Sequence, residues 1–233
     1  MEMEIDPKRY EEALRHWPYM ASLETVVNFV IGRAPKGGRL ADVMSGSGYL
    51  LGEIAKVRPD LSLLGVDIDQ RYISYGRKTY PGVSFEEGDV LTWHPSEPFD
   101  VVLCTGALHH IAYDEQETAI ANIAAATKPG GLAIISDCYI DPYTNEMQRQ
   151  LGALRLGTAY AAYALKSRAS KEVIDETLDI QRRDVHGEEY KTSVALRQSI
   201  LEKYFRRVHT LQTWPLEWTA LFGDYVHTCF KAE

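Results

Sequence analysis

No run in this 233-residue chain approaches the roughly 18 consecutive apolar residues of a spanning helix, which excludes a helical membrane body. Basic charge is scarce as well: 25 Lys and Arg stand against 33 Asp and Glu, a net charge of −8. Such a chain lacks the electrostatic footprint for nucleic acid or an anionic lipid surface. Only three cysteines occur, Cys104, Cys138 and Cys229, odd in number and far apart. They form neither a metal-ligand spacing nor a disulfide framework. With no signal-peptide pattern at the start, the expected compartment is the reducing cytoplasm. Repeats and low-complexity linkers are absent, so the chain reads as one domain, 1–233, large enough to bury a substantial core.

What is present is an alternation of strands and helices. Residues 7 to 31 read as one or two helices, with Val26, Val27, Val30 and Ile31 at helical spacing, and "APKGG" at 34–38 ends them. "RLADV", "LSLLGVD", "VSFEEGD", "FDVVLCT" and "LAIISDC" read as strands. "YLLGEIAKV", "QRYISYGRKTY" and a helix from Asp114 to Ala126 separate them, the last with Asp114 as N-cap and Glu117 at N3, and "KPGG" stops it. Near-continuous apolar strands between helices predict a doubly wound α/β fold whose mostly parallel sheet is covered on both faces. Ligands then sit at the carboxyl ends of the strands. Residues 1–34 form a helical extension, and 139–200 interrupt the alternation as a helical cap, with Ser170 as an N-cap within it. "RRVHTLQ" and "DYVHTCFKA" close the sheet as an antiparallel pair.

The stretch "LADVMSGSGYLLGEIA" carries an acid, then a glycine loop, then a helix. Its glycines, Gly46, Gly48 and Gly52, do not match the G-x-G-x-x-G spacing of a dinucleotide loop, and no G-K-[ST] follows. The loop has no Lys or Arg and suits a cofactor without phosphates.

Here the chain resembles the class I S-adenosylmethionine-dependent methyltransferases, whose first motif is an acid, a hydrophobic residue and G-x-G-x-G. "DVMSGSG" matches at Asp42, Gly46 and Gly48 and departs at Met44. "LLGVDID", "FEEGDV", "FDVVLCTGALHHI" and "ATKPGGLAIISD" follow in family order, so the resemblance covers residues 38–137. It implies a Rossmann-like fold, the cofactor S-adenosyl-L-methionine, and in-line methyl transfer to a small-molecule acceptor on oxygen, nitrogen or carbon. It also implies roles: Asp67 for both ribose hydroxyls, Ile68 on adenine, and Asp89 for the adenine amino group. Ser47, Val90, Cys104 and Thr105 complete the implied cofactor wall.

The residues alone leave other roles open. Asp42 also suits a helix dipole, and Asp67 and Asp89 also suit turns. His109 and His110 follow the fourth strand and are candidate bases, with Tyr143 after the fifth strand a third candidate. One histidine of such a pair often supports the loop, and Tyr143 is equally a packed aromatic under the cap. His186 reads as a surface turn. Trp17, Tyr19, Tyr139, Tyr160, Tyr163, Trp214 and Trp218 are candidates for the walls of a small pocket. "CTGALHH" holds no acid, so no metal site is expected. Methyl transfer to protein or RNA, and a non-catalytic cofactor-binding protein, are the competing readings; Met44 supports the second. Nucleic acid and membrane are not expected partners, and a homodimer is compatible with the sequence.

Overall fold

The computed structural model describes residues 6–216 and 220–233. Trp218 therefore lies outside the described residues. Two N-terminal helices, α1 (Pro7–Leu14) and α2 (Met20–Arg33), precede the alternating body. Then come β1 (Arg39–Val43), α3 (Tyr49–Val57), β2 (Ser62–Asp67), α4 (Gln70–Thr79), β3 (Ser84–Glu87), β4 (Phe99–Thr105), α5 (Gln116–Ala126) and β5 (Thr127–Tyr139). A 3-10 turn, Leu108–His110, follows β4. The second part holds α6 (Glu146–Lys166), α7 (Lys171–His186), α8 (Val194–Tyr204), β6 (Arg207–Trp214) and β7 (Gly223–Phe230).

The seven strands form one sheet in the order β3-β2-β1-β4-β5-β7-β6. β1 to β5 pair in parallel, whereas β7 runs antiparallel to both β5 and β6. The order reverses beside β1, a switch point that opens a crevice at the carboxyl ends of β1 and β4. One face of the sheet packs Leu40, Leu103 and Ile134 against α2 and α3; the other packs Val102, Ala133 and Ile135 against α5 and α8. Of the N-terminal repeat, Val26 and Val30 are buried, while Ile31 is exposed. Among the described residues no helix is long and apolar enough to cross a membrane.

Two local expectations, at α5 and β5, are corrected, and the end of α7 is defined. α5 starts at Gln116, its N-cap Glu115 makes no side-chain cap bond, and Glu117 instead meets Lys203 and Tyr204. Gln116 is used elsewhere: its amide donates to the carbonyls of Ile111 and Tyr190 at 2.9 and 2.8 Å. β5 begins at Thr127, upstream of "LAIISDC", because Thr127 already pairs with Phe99 across a register shift. α7 runs past Ile180 to His186 and ends on Gly187, whose φ of +83° is the left-handed conformation glycine adopts most easily.

The segment expected as a cap, 139–200, separates into two groups. α6 and α7 pack side by side, and Gly157 marks their closest approach: a Cβ there would fall within the Gln181 side chain. Arg149 of α6 donates to the last carbonyls of α7, Asp184 and Val185, at 2.8 and 2.9 Å. α8 sits apart, on the sheet face beside α5, where Leu201 and Phe205 are core.

Candidate active site

The first part of the site is a cavity of about 430 Å³ at the carboxyl ends of β1, β2 and β4. Asp42, the loop 44–47, Asp67–Asp69, Gly88–Leu91 and Thr105–Ala107 line it. Asp42 sits one residue before the end of β1, fully inside the sheet, with its Oδ1 buried and without a hydrogen-bond partner. Burial, with the Asp67 charge nearby, pushes its carboxyl up to about 8. Asp67 ends β2 and accepts the backbone N–H of Gly46 at 2.7 Å and of Asp69 at 2.9 Å. It thereby ties the glycine loop to the second strand. Burial raises its pKa, against the opposing pull of those two bonds. Asp89 accepts the backbone N–H of Leu91 at 2.9 Å.

Met44 adopts φ +57°, a region costly for a residue with a Cβ. Its side chain packs beside the cluster of Val43, Val66 and Val90, and it also touches the cavity. The close approach falls to Gly48, at φ +81°, where a Cβ would overlap the Phe85 ring.

The donor set fits S-adenosylmethionine. The cavity wall carries the acids Asp42, Asp67, Asp69 and Asp89 and no Lys or Arg, so it suits a phosphate-free, positively charged ligand. Ile68, 61% exposed at the lip, offers an apolar surface without protein cover. Of the expected cofactor residues, Asp42, Gly46, Ser47, Asp67, Ile68, Asp89, Val90 and Thr105 face this cavity. Gly48 lies in the same loop, behind its surface. Cys104 does not reach the cavity: the strand alternation turns it into the core among Val102 and Ile135, fully buried.

A second, smaller cavity of about 120 Å³ lies alongside, between the N-terminal helices, the 3-10 turn and the α6–α7 pair. Tyr10, Tyr19, Gly106 and His110 belong to both walls. Trp17, Leu156, Tyr160 and Ile180 supply apolar surface. Trp17 is fixed by its indole N–H, which donates to Thr177 at 2.9 Å. Tyr19 donates to the Ser136 hydroxyl at 3.0 Å.

Three hydrogen-bonded pairs of titratable groups surround this cavity. His109 Nδ1 lies 2.5 Å from Asp137 Oδ1. Burial disfavours a charged ring there, but the Asp137 carboxylate outweighs it, and the pKa of His109 stands well above the ordinary value. His109 is thus an imidazolium without a lone pair for proton abstraction. His110 Nδ1 lies 2.7 Å from Glu189 Oε2. Burial and then the neighbouring His109 charge lower its pKa, so its ring is neutral at pH 7. Burial opposes ionisation of Glu189, but its bond to His110 prevails and holds it at about 2. Lys191, 4% exposed, lies 2.7 Å from Asp184, a partner strong enough to keep it charged against burial. The donor atoms of His109, Asp137 and Cys138 lie within 4.8 Å of one another, as do those of His109, His110 and Glu189. In the structure each histidine Nδ1 faces its own carboxylate.

Tyr143 is corrected. It lies outside both cavities, packs beside Ile140, and donates its hydroxyl to the Lys191 carbonyl at 3.4 Å. Tyr139 lies within the sheet, hydrogen-bonded to His227 at 2.8 Å, and Trp214 packs edge-on to Tyr160 and Tyr163. His186 is exposed at the end of α7. Glu189 and Lys191 escaped the sequence reading. Their only signal is a dense ionisable stretch, "HGEEYK", directly after a glycine helix stop. The Tyr190 N–H, donating to the His109 carbonyl at 2.7 Å, brings that stretch to the site.

Residues 40–131 match the family model described as a methyltransferase domain. Trans-aconitate 2-methyltransferase of Acidovorax sp. (strain JS42) is 23% identical over 174 residues, 72% of this chain and 67% of that protein. A dTDP-4-amino-2,3,4,6-tetradeoxy-D-glucose N,N-dimethyltransferase of Saccharopolyspora spinosa is 30% identical over 140 residues, 55% of this chain and 53% of that one. Magnesium protoporphyrin IX methyltransferase of Synechocystis PCC 6803, solved with bound SAH, shares the fold at a TM-score of 0.58 and 15% identity, covering 92% of this chain and 84% of that one. The chain spans about half to two thirds of the length of the curated relatives it matches.

Proposed function

Residues 40–131 form a methyltransferase domain of the class I S-adenosylmethionine-dependent kind, and from that premise we propose that the chain methylates a small acceptor held in the smaller cavity, with His110 as the base. When bound, S-adenosyl-L-methionine supplies a methyl group on a positive sulfur, open to in-line attack by a lone pair. Asp67 would hold its ribose, Asp89 with Ile68 and Val90 its adenine, and Asp42 with the loop Gly46–Gly48 its methionine end.

The observation that carries the reading is His110, common to the two cavity walls and hydrogen-bonded through Nδ1 to an ionised Glu189. An ionised carboxylate only accepts, so Nδ1 carries the proton and Nε2 carries the lone pair. Nε2 has no hydrogen-bond partner among the described residues. His110 takes the proton of an acceptor hydroxyl or amine as the nucleophile attacks, and Glu189 stabilises the imidazolium that forms. Tyr10, Tyr19 and Gly106 restrict the acceptor to the line of attack, and the aromatic walls exclude water. The named relatives with small acceptors, trans-aconitate and an amino sugar nucleotide, support a small molecule over RNA or protein.

The test is a screen of metabolite pools with radiolabelled S-adenosylmethionine, run on the wild type and His110→Ala. Label in a low-molecular-weight product with the wild type, lost in the variant, supports the reading. Label in protein or RNA alone sinks it.

A further inference from the structure

Each acid around the smaller cavity has a side-chain partner, and the cations keep spare donors. Asp137 accepts His109 Nδ1 and two backbone N–H groups, of His109 at 3.2 Å and of Cys138 at 2.9 Å. Asp184 receives Lys191 at 2.7 Å, and Glu189 receives His110. On the other side of each pair a donor is left over. An imidazolium keeps a second N–H, and an ammonium has three protons. For His109 Nε2 no acceptor exists among the described residues, and Lys191 Nζ meets only Asp184. Arg183, on the same wall, has a buried Nε without a hydrogen-bond partner; the nearest carboxylate, Asp179, is 3.6 Å away. A buried charged donor without an acceptor is costly, and Arg183 Nε, beside two cations on the same wall that each keep a spare donor, favours an anionic ligand.

The size narrows the choice. An apolar cavity of about 150 Å³ takes one benzene ring. The space here is about 120 Å³, with Trp17, Tyr160, Leu156 and Ile180 as its walls. Resting on the reading of this cavity as the acceptor site, we infer that the acceptor is a compact carboxylic acid on the scale of a single ring. Its carboxylate is received by Arg183, Lys191 and His109, and its nucleophilic atom lies at His110.

The probes are benzoate and its neutral isostere benzamide, titrated by calorimetry against the protein saturated with S-adenosylhomocysteine. The wild type binds benzoate at least about tenfold more tightly than benzamide, the contrast expected of hydrogen bonds to charged donors. Arg183→Gln removes a cation whose side chain is 23% exposed and spares the fold; it lowers benzoate affinity several-fold and leaves benzamide affinity unchanged. The paired change Lys191→Met with Asp184→Asn, which leaves no buried lone charge, does the same. Unchanged S-adenosylhomocysteine affinity certifies that each variant is folded. Should the double variant not fold, Arg183→Gln decides alone. Equal affinities for the two probes in the wild type, no binding of either, or benzoate affinity untouched by Arg183→Gln would overturn the carboxylate. Those results leave methyl transfer standing, since another acceptor still gains label in the screen above. Failure of the wild type to bind S-adenosylhomocysteine overturns both.

Discussion

Glu189 accepts the Nδ1 proton of His110 at 2.7 Å, although 79 residues of chain separate the two. Loss of the base by His110→Ala lowers kcat by roughly 10²- to 10⁴-fold. Glu189→Gln lowers it too, and moves the pH profile. The carboxylate stabilises the imidazolium, so its removal drops the His110 pKa further below 6.5. The wild-type kcat/KM rises with pH through a limb below 6.5 and is flat at neutrality; in Glu189→Gln that limb shifts to lower pH. A wild-type limb centred well above 6.5 contradicts His110 as the base.

Asp67→Ala removes the acceptors for the ribose and also frees the Gly46 and Asp69 N–H groups. Hydrogen bonds to a charged acceptor contribute about 1.5–3 kcal/mol each. Calorimetric affinity for S-adenosylmethionine falls by more than about tenfold, with a lower Tm as the loop loosens. Unchanged affinity in a folded variant removes Asp67 from the site.

Met44→Gly has two opposed effects. It deletes packing beside Val43, Val66 and Val90, and it relieves a backbone at φ +57°. Partial burial is worth about 1–2 kcal/mol, and release from the left-handed region returns about 1 kcal/mol. The net change in urea stability is therefore small, and cofactor affinity stays within about threefold, below the tenfold that 1.4 kcal/mol would bring. A large gain in affinity would show that Met44 obstructs the cavity and would favour a protein that binds the cofactor without transferring its methyl group.

The fold and the cofactor half were legible in the sequence because they depend on short-range pattern. "RLADV" and "FDVVLCT" are apolar strands, and each strand ends on the loop that follows it, so Asp42, Asp67 and Asp89 fall at one sheet edge. The acceptor half was legible only in part. His109 and His110 were named, but their different charge states are set by Asp137 beside the one and by burial and the His109 charge around the other, which pattern alone does not place. Cys104 was misplaced because period-2 alternation sends it into the core while its neighbour Thr105 reaches the cavity. Tyr143 was misplaced because a connector has no periodicity to aim it. Gly152 and Gly157 of α6 are contact points, against Ile140 and Gln181.

Gly157→Ala accordingly destabilises the protein, despite a better helix propensity worth about 1 kcal/mol. The added methyl enters the Gln181 side chain, and such overpacking costs about 1–3 kcal/mol. Thermal denaturation shows a lower Tm, and hydrogen exchange across 146–166 speeds up. A higher Tm would mean that the helices have room to spare.

Asp42 sets a pH dependence in the cofactor-free protein. Its folded pKa of about 8 exceeds the ordinary 3.8, so the native state holds the proton more tightly than the unfolded chain. The contribution of Asp42 to stability is then fully present below 3.8 and is lost as pH rises toward about 8. Asp42→Asn abolishes that slope: its Tm advantage over the wild type is least near pH 4 and grows toward pH 8, while affinity for S-adenosylmethionine weakens. Parallel Tm curves for the two proteins would contradict a buried, unpartnered carboxyl.

The segment from α1 to Tyr19 lies against both cavities. Glu11 accepts from Tyr80, the C-cap of α4, at 2.8 Å and Tyr10 packs edge-on to Tyr72 of α4, while Trp17, further along the same segment, is held by Thr177 beside the smaller cavity. Tyr10 and Tyr19 close both walls. The N-terminal segment is therefore a common door. On the proposed reading of the two cavities, a change that loosens it raises the KM of cofactor and acceptor together.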